Sequence, residues 1–210
     1  MYAEGQDSVP QNDADATLGA MYAEGQSGVP QNDSEVLKWV RKVAEQGNAG
    51  AQAALGDLYA EGQGIPQNDA EAVKWYRKAA EQGHAVAQFA LAIMYTEGLG
   101  VSQNDAEAVK WYCKAAEQGH AVAQYQLGFV YNFGLGVPQN DAEAVKWYRK
   151  AAEQGHAVAQ AALDLMYPEG LRVTRNDAEA VKWFRKAAEQ GLVLAQSKLA
   201  GASKNPLSWR

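Results

Sequence analysis

The sequence predicts an all-α fold, an α/α superhelical solenoid of helix-turn-helix repeats of 36 residues. Three observations lead to this prediction. Tryptophan recurs in register at Trp39, Trp75, Trp111, Trp147 and Trp183, and asparagine and glycine recur with the same spacing. Alanine is abundant, which suits close packing of helices, and the chain has only 6 prolines. Internal periods of this length mark stacked supersecondary units rather than a globular enzyme.

The first helix of each repeat is predicted to be amphipathic. Around Trp75 and Tyr76, the apolar residues fall on one side of a helix, and glutamate, lysine and glutamine fall on the other. Asn68 or Asp69 is expected to cap this helix by accepting hydrogen bonds from its first N–H groups. Gly83 is expected to end it in a left-handed conformation.

A second helix is predicted from about Ala85 to Glu97, with Leu91 at the centre of its buried side. Gly98 and Gly100 then break the helix, and the short connections make successive helices antiparallel. Small residues recur on this helix and are expected to let neighbouring helix backbones approach closely. They are Gly56, Ala92, Gly128 and Ala200.

Histidine recurs just before the second helix, at His84, His120 and His156, and Asn48 takes this position in an earlier repeat. Because asparagine is a good N-cap, we expect the histidines to act as caps too. A zinc site needs ligands at about 2 Å from one ion. Equivalent residues of stacked helices lie about 8–10 Å apart. The sequence therefore predicts no metal site.

No group of residues predicts catalysis or a bound cofactor. The carboxylates are spread evenly over polar faces, and no Ser/His/Asp set or phosphate-binding loop is present. Cys113 is the only cysteine and stands where other repeats have arginine, so it forms no disulfide within the chain. We expect a protein that is not an enzyme and needs no cofactor.

Charge and hydropathy exclude further classes of protein. The formal net charge is −6 and the pI is near 5.1, which argues against binding to nucleic acid. The sequence lacks an apolar run long enough for a membrane span, and it lacks a signal peptide. Met1 opens within a repeat, because MYAEG matches the end of one. The compartment therefore stays open: cytoplasmic, or periplasmic or secreted if the native N terminus is missing.

The repeats set the predicted domain organisation. MYAEG at residue 1 recurs at residue 21, a spacing of 20 instead of 36, so the first repeat is truncated. We expect residues 1–12 to form an irregular segment that caps the array, pairs with a second copy of the chain or projects from it. A single array is predicted over 13–202, with a tail over 203–210. Its repeats are a truncated one at 13–31, full ones at 32–67, 68–103, 104–139 and 140–175, and a last one at 176–202.

The repeat over 140–175 departs most from the pattern. Asp164 replaces the small residue of the second helix, and Pro168 removes a backbone donor near the end of that helix. Arg172 replaces a glycine, and Thr174-Arg175 replaces Pro-Gln. We expect this repeat to be the least regular. A buried Asp164 would need a partner, with Arg172 and Arg175 as the nearest basic candidates.

Two surfaces are candidates for binding a partner. The outer side of the second helices varies most between repeats, and its apolar side chains either pack between repeats or form an exposed patch. The predicted contact residues there are Phe89, Ile93, Tyr125, Phe129, Asn132 and Phe133. The first helices carry a repeating charge ladder, which is either a solvated face or a groove for a charged tail or extended peptide. Its members are Glu71, Lys74, Lys78, Glu107, Lys110, Lys114, Glu143, Lys146 and Lys150.

The repeat resembles the Sel-one-like repeat family, relatives of the tetratricopeptide repeats, over about residues 13–201. The pattern A-x-x-W-Y-x-K-A-A-x-x-G runs from Ala72 to Gly83, and A-Q-x-x-L-x-x-x-Y-x-x-G-x-G-V runs from Ala87 to Val101. The resemblance implies a bacterial α-solenoid that acts as an adaptor. Cysteine-rich relatives associated with β-lactam or cell-wall binding carry paired cysteines, which this chain lacks.

The leading hypothesis is a non-catalytic scaffold that binds a protein or peptide on the solenoid surface. One alternative is a repeat protein that binds or hydrolyses a cell-wall or β-lactam ligand. Another alternative is a structural spacer that self-associates as a homo-oligomer through the truncated N-terminal repeat.

Overall fold

The structure is a computed structural model and describes residues 33–166 and 177–192. These ranges contain helices and no strand. The helices are α1 (Asp33–Glu45), α2 (Ala49–Glu61), α3 (Asp69–Glu81), α4 (Ala85–Glu97), α5 (Asp105–Glu117), α6 (Ala121–Phe133), α7 (Asp141–Glu153), α8 (Ala157–Met166) and α9 (Asp177–Glu189). The predicted all-α fold of repeated helix pairs is confirmed.

The chain divides into two compact units, unit 1 over residues 1–103 and unit 2 over residues 104–210. Helices α1–α4 belong to unit 1 and α5–α9 to unit 2. We call α1, α3, α5, α7 and α9 the first helices of their repeats, and α2, α4, α6 and α8 the second helices.

The helix ends follow the predicted signals. Asn68 is the N-cap of α3, and its side-chain oxygen accepts a hydrogen bond from the N–H of Glu71 at 3.1 Å. Gly83 follows α3 with a φ of 93°, the left-handed conformation that glycine adopts without steric cost. Gly98 ends α4 in the same way, with a φ of 71°. The second helix runs from Ala85 to Glu97, as predicted.

The histidines cap the second helices, as predicted. The Nδ1 atoms of His84, His120 and His156 each accept a hydrogen bond at 3.2 Å from the N–H three residues further on. Asn48 does the same with its side-chain oxygen at 2.8 Å. Burial lowers the pKa of His120 and His156, because the charged imidazolium is poorly solvated there. The caps therefore hold these rings in the neutral form, which alone offers an acceptor nitrogen.

Alanine and leucine supply most of the core, and tryptophan supplies less than expected. Leu55 and Leu91 are fully buried in unit 1, as are Leu127 and Leu163 in unit 2. Trp147 and Trp183 are buried, whereas Trp39, Trp75 and Trp111 are half-buried, and Trp39 and Trp75 pack against a core cluster of unit 1. An indole is large, and the alanine-rich neighbouring helices are too thin to cover it completely.

Two second-helix glycines allow a close approach, though the neighbour is an aromatic ring rather than a backbone. A Cβ on Gly56 would lie 2.5 Å from the Tyr76 ring, and one on Gly128 would lie 2.6 Å from the Tyr148 ring. Each tyrosine belongs to the first helix of the following repeat, so these glycines make room for packing between repeats.

The connectors return to the start of their own repeat. Gly100 follows α4, and a Cβ there would lie 2.2 Å from the backbone of Asp69 at the start of α3. Gly136 follows α6, and a Cβ there would lie 2.6 Å from the backbone of Asp105 at the start of α5. Both glycines have a positive φ, 64° and 69°, so no other residue suits either position.

A buried glutamine joins three helices of unit 2. Gln124 in α6 is 4% exposed, and its Nε2 donates to the carbonyl of Ala116 in α5 at 3.0 Å. Its Oε1 accepts from Nε2 of Gln154, which follows α7, at 2.7 Å. The Gln154 amide also donates to the carbonyl of Gly119 at 2.9 Å. The same glutamine pairing links Gln82 to Gln52 at 2.7 Å and Gln190 to Gln160 at 3.2 Å.

Several predictions lie outside the described residues. These include the irregular segment over 1–12, the truncated repeat over 13–31, and the tail over 203–210. Pro168, Arg172, Thr174 and Arg175 also lie outside them, and the side chain of Asp164 is not described. The predicted domain boundaries and the irregularity of the repeat over 140–175 therefore stay predictions.

Across the described helices, none combines the length and the apolar character that crossing a membrane would require.

Candidate binding surfaces

The outer side of α4 carries the predicted contact residues of unit 1. Phe89 and Ile93 are half-buried there, opposite the fully buried Leu91. Val86 on the same side is 52% exposed, and its equivalents Val122 and Val158 are 39% and 46% exposed. This side of α4 is therefore apolar and partly accessible.

The outer side of α6 carries the predicted contact residues of unit 2. Tyr125 and Phe129 pack against the core of this unit and are half-buried. Tyr125 stacks on His156 with ring centroids 4.9 Å apart and also contacts the ring of Tyr148 at 5.7 Å. These two residues therefore contribute to packing between repeats while keeping part of their surface exposed.

Phe133 is the most exposed large apolar side chain among the described residues, at 59%. Its ring centroid lies 4.5 Å from that of Phe129, so the two rings form one continuous aromatic surface. Glu61 and Glu97 occupy the equivalent position in the earlier repeats. A phenylalanine has thus replaced an exposed carboxylate in one repeat alone among these three.

Asn132 lies beside these aromatic residues and is half-buried. It hydrogen-bonds with Tyr148, while burial raises the pKa of the tyrosine hydroxyl. In unit 1 the equivalent tyrosine is held differently, because the hydroxyl of Tyr76 donates to Oδ1 of Asp57 at 2.7 Å. Desolvation raises the pKa of Asp57, and the hydrogen bond from Tyr76 opposes this rise.

The charge ladder of the first helices is largely neutralised within each helix. Lys74 pairs with Glu71 at 2.6 Å, and Lys146 pairs with Glu143 at 3.0 Å. Lys110 pairs with Glu107 in the same way. These six of the nine predicted charges therefore form pairs three residues apart, which is the usual arrangement for a solvated helix face.

The other three lysines of the ladder lie over tryptophan rings. The Nζ of Lys78 lies 3.8 Å from the ring centroid of Trp75. Lys114 lies 4.2 Å from Trp111, and Lys150 lies 4.2 Å from Trp147. For Trp75 and Trp111, which are half-buried, the lysine covers part of an indole that the core leaves exposed. Sequence reasoning missed this contact, although the three-residue spacing of tryptophan and lysine could have revealed it.

An arginine–tyrosine hydrogen bond joins the two helices of a repeat in unit 1. A guanidinium nitrogen of Arg77 donates to the hydroxyl of Tyr95 at 2.7 Å, and Arg41 donates to Tyr59 at 2.8 Å. In the next repeat Cys113 replaces the arginine opposite Tyr131, and burial raises the pKa of both side chains. The raised thiol pKa makes Cys113 a poor nucleophile at neutral pH.

Within the described residues, no group of three or more histidine, cysteine, aspartate or glutamate side chains is placed to hold a metal ion. The second helices instead present apolar contact area, and the first helices present lysine ammonium groups that lie over tryptophan rings. Stacked helix pairs with such surfaces define a class of repeat protein that recognises other chains over an extended face.

The Sel1 repeat family matches residues 14–48, 49–84, 85–120, 121–156 and 157–192, and the chain belongs to this family. Members of the family generally act as non-catalytic scaffolds for protein–protein interaction. No curated protein matches the sequence.

Solved bacterial structures share the fold. A protective antigen of uropathogenic Escherichia coli strains, which displays an SLR fold, is 39% identical, with a TM-score of 0.84 over 92% of this chain and 41% of that chain. A Sel1 repeat protein from Oxalobacter formigenes is 41% identical, with a TM-score of 0.73 over 80% of this chain and 72% of that one. The present chain thus spans 41% of the length of the Escherichia coli antigen.

A cysteine-rich protein B from Helicobacter pylori is 23% identical, with a TM-score of 0.51 over 65% of this chain and 98% of that chain. At this identity the likeness concerns the fold alone.

Proposed function

We propose that this chain is a non-catalytic interaction scaffold that binds a peptide or protein segment on the outer side of its second helices. The contacts come from Phe89 and Ile93 in unit 1. In unit 2 they come from Tyr125, Phe129, Asn132 and Phe133.

The observation that carries the proposal is the exposure of Phe133, 59% of whose surface faces solvent beside the ring of Phe129. Aromatic side chains, phenylalanine included, are enriched at protein interfaces, and a few buried anchors carry most of the binding energy. The fold supports such a role, because a rigid helix presents these rings without a cost for ordering a loop.

The test uses a library of displayed peptides selected on the unmodified protein. Binders are then measured against Phe133→Glu, which restores the residue that Glu61 and Glu97 supply in other repeats. Burying a phenylalanine on binding is worth about 1.5–3 kcal/mol, so we expect affinity to fall roughly 10- to 100-fold.

Leu99→Glu is the control, since Leu99 is 38% exposed but lies in the connector after α4, outside the second helices. It introduces the same charge at another apolar surface position. Peptides that bind Phe133→Glu as tightly as the unmodified protein would refute the proposed surface. Equal losses in both variants would refute it too, because the loss would then follow net charge and not the aromatic site. Thermal unfolding of each variant checks that the folded state is unchanged.

A further inference from the structure

The first helices of unit 2 repeat one arrangement of lysine on tryptophan. The Nζ atoms of Lys114 and Lys150 each lie 4.2 Å from the ring centroids of Trp111 and Trp147. Lys186 lies 4.9 Å from that of Trp183. All three lysines are exposed and belong to the last turn of their helix. The last turn of each helix thus holds an ammonium group at an equivalent place, and Lys146 and Lys182 also lie over the rings of Trp147 and Trp183, at 5.5 and 5.1 Å.

These three lysines differ from the other lysines of the ladder in their partners. Lys110 and Lys146 already pair with a glutamate on the same helix. Within the described residues, no carboxylate oxygen lies within 4.0 Å of the Nζ of Lys114, Lys150 or Lys186. A cation over an indole keeps its capacity to form hydrogen bonds with an anion on its other side.

The ends of the three helices lie side by side. The Nε2 atom of Gln154, after α7, donates to the carbonyl of Gly119, after α5, at 2.9 Å. A Cβ on Gly155 would lie 4.0 Å from Nε2 of Gln190, after α9. Because each lysine stands a similar number of residues before these contacts, the ammonium groups form a row across the ends of the helices.

We propose that the row of Lys114, Lys150 and Lys186 binds an extended acidic peptide segment, with one carboxylate on each ammonium group. The row is a surface separate from the aromatic residues of the second helices, so it goes beyond the function proposed above. Charge complementarity favours an acidic partner, because none of the three lysines forms an ion pair with a carboxylate among the described residues. The tryptophan rings restrict the lysine side chains beforehand, which reduces the entropy that binding would cost.

Spacing further defines the ligand. The hydrogen bond from Gln154 to Gly119 places the ends of α5 and α7 side by side, and a helix with its side chains is about 10–12 Å across, so equivalent side chains lie about that far apart. An extended peptide advances about 3.3 Å per residue, so carboxylates three residues apart recur at about 10 Å. A segment with glutamate at every third position therefore matches the row.

Exposed glutamates limit the strength of this interaction. Each lysine of the row is followed three residues later by an exposed glutamate that lowers the local positive potential, namely Glu117, Glu153 and Glu189. The interaction is accordingly expected to be weak and to weaken further as salt is raised.

The experiment measures binding of a fluorescein-labelled peptide with glutamate at every third position, separated by glycine and serine. The same peptide with glutamine in place of glutamate is the ligand control. With the full chain, fluorescence anisotropy is expected to show binding of the glutamate peptide and much weaker binding of the glutamine peptide.

Matched variants then locate the site. The double variant Lys114→Gln/Lys150→Gln is expected to weaken binding about two- to tenfold. The control Lys110→Gln/Lys146→Gln makes the same change of net charge on the same two helices and is expected to reduce affinity less. The variant Glu117→Gln/Glu153→Gln is expected to tighten binding.

Equal losses in both lysine double variants would overturn the proposal, because binding would then depend on net charge alone. Absence of binding by the unmodified chain at low salt would overturn it too. If a single-stranded oligonucleotide bound as tightly as the glutamate peptide and lost affinity in the same lysine variants, the acidic peptide would no longer be the proposed ligand. None of these results depends on Phe133, so they leave the function proposed for the second helices untouched.

Discussion

The hydrogen bonds of Gln124 to Ala116 and Gln154, which we call the glutamine bridge, are expected to stabilise unit 2. Replacing Gln124 by methionine keeps the length and shape of the side chain but removes its amide. The hydrogen bonds to the Ala116 carbonyl and from the Gln154 amide are then lost. A typical hydrogen bond contributes about 0.5–1.5 kcal/mol net, so two of them give about 1–3 kcal/mol.

The upper part of this range is less expected, because the Ala116 carbonyl also accepts from the backbone N–H of Gly119 and stays satisfied. The assay is urea unfolding followed by circular dichroism and tryptophan fluorescence. Gln126→Met on the same helix is the control, because Gln126 is half-buried and takes no part in the bridge. If Gln124→Met lowers stability no more than this control, the bridge does not couple the repeats. A double variant with Gln154→Met measures the coupling directly, expected at about 1 kcal/mol.

Three further outcomes are expected from the described contacts. Gly136→Ala should destabilise unit 2 by about 1–3 kcal/mol more than Gly119→Ala. Both glycines have a positive φ, but only at Gly136 would a Cβ lie against backbone atoms. Equal unfolding midpoints of the two variants would contradict this prediction. Burial lowers the pKa of His156, so its cap stabilises the fold fully above the ordinary histidine pKa near 6.5, and this stability is lost as pH falls through the lowered pKa. In thermal unfolding at several pH values, His156→Asn should therefore lose less stability at acid pH than the unmodified protein. An unchanged dependence of stability on pH would argue against the cap. Cys113→Arg should restore the arginine–tyrosine hydrogen bond of other repeats, here to Tyr131, and raise stability by about 0.5–1.5 kcal/mol. Cys113→Lys should not raise it. Equal increases in the unfolding temperature of both variants would count against the hydrogen bond.

The helices and their ends could be predicted from the sequence because each is determined by nearby residues. Asn68 as a cap, Gly83 as a terminator and the bounds of the second helix all follow from signals within one repeat. The histidine caps could be predicted as well, because Asn48 at the equivalent position shows what that position requires.

The contacts between repeats could not be predicted in the same way. The bridge between Gln124 and Gln154 joins residues 30 apart, and no local pattern specifies that two glutamines will meet. The partial exposure of Trp75 was missed because amphipathic periodicity gives the direction of a side chain but not whether its neighbours are large enough to cover it. For the candidate surfaces, variation between repeats placed Phe133 among the predicted contact residues, and the structure added its exposure and its contact with Phe129.

The return of each connector to its own repeat bears on how such arrays change length. Gly100 packs against Asp69 and Gly136 packs against Asp105, so each loop contacts the first helix of its own repeat. Duplication or deletion of a stretch of 36 residues would therefore add or remove a complete repeat together with its own loop contact. Tandem copying of DNA could lengthen or shorten the array by whole units, with new packing needed only at a single junction.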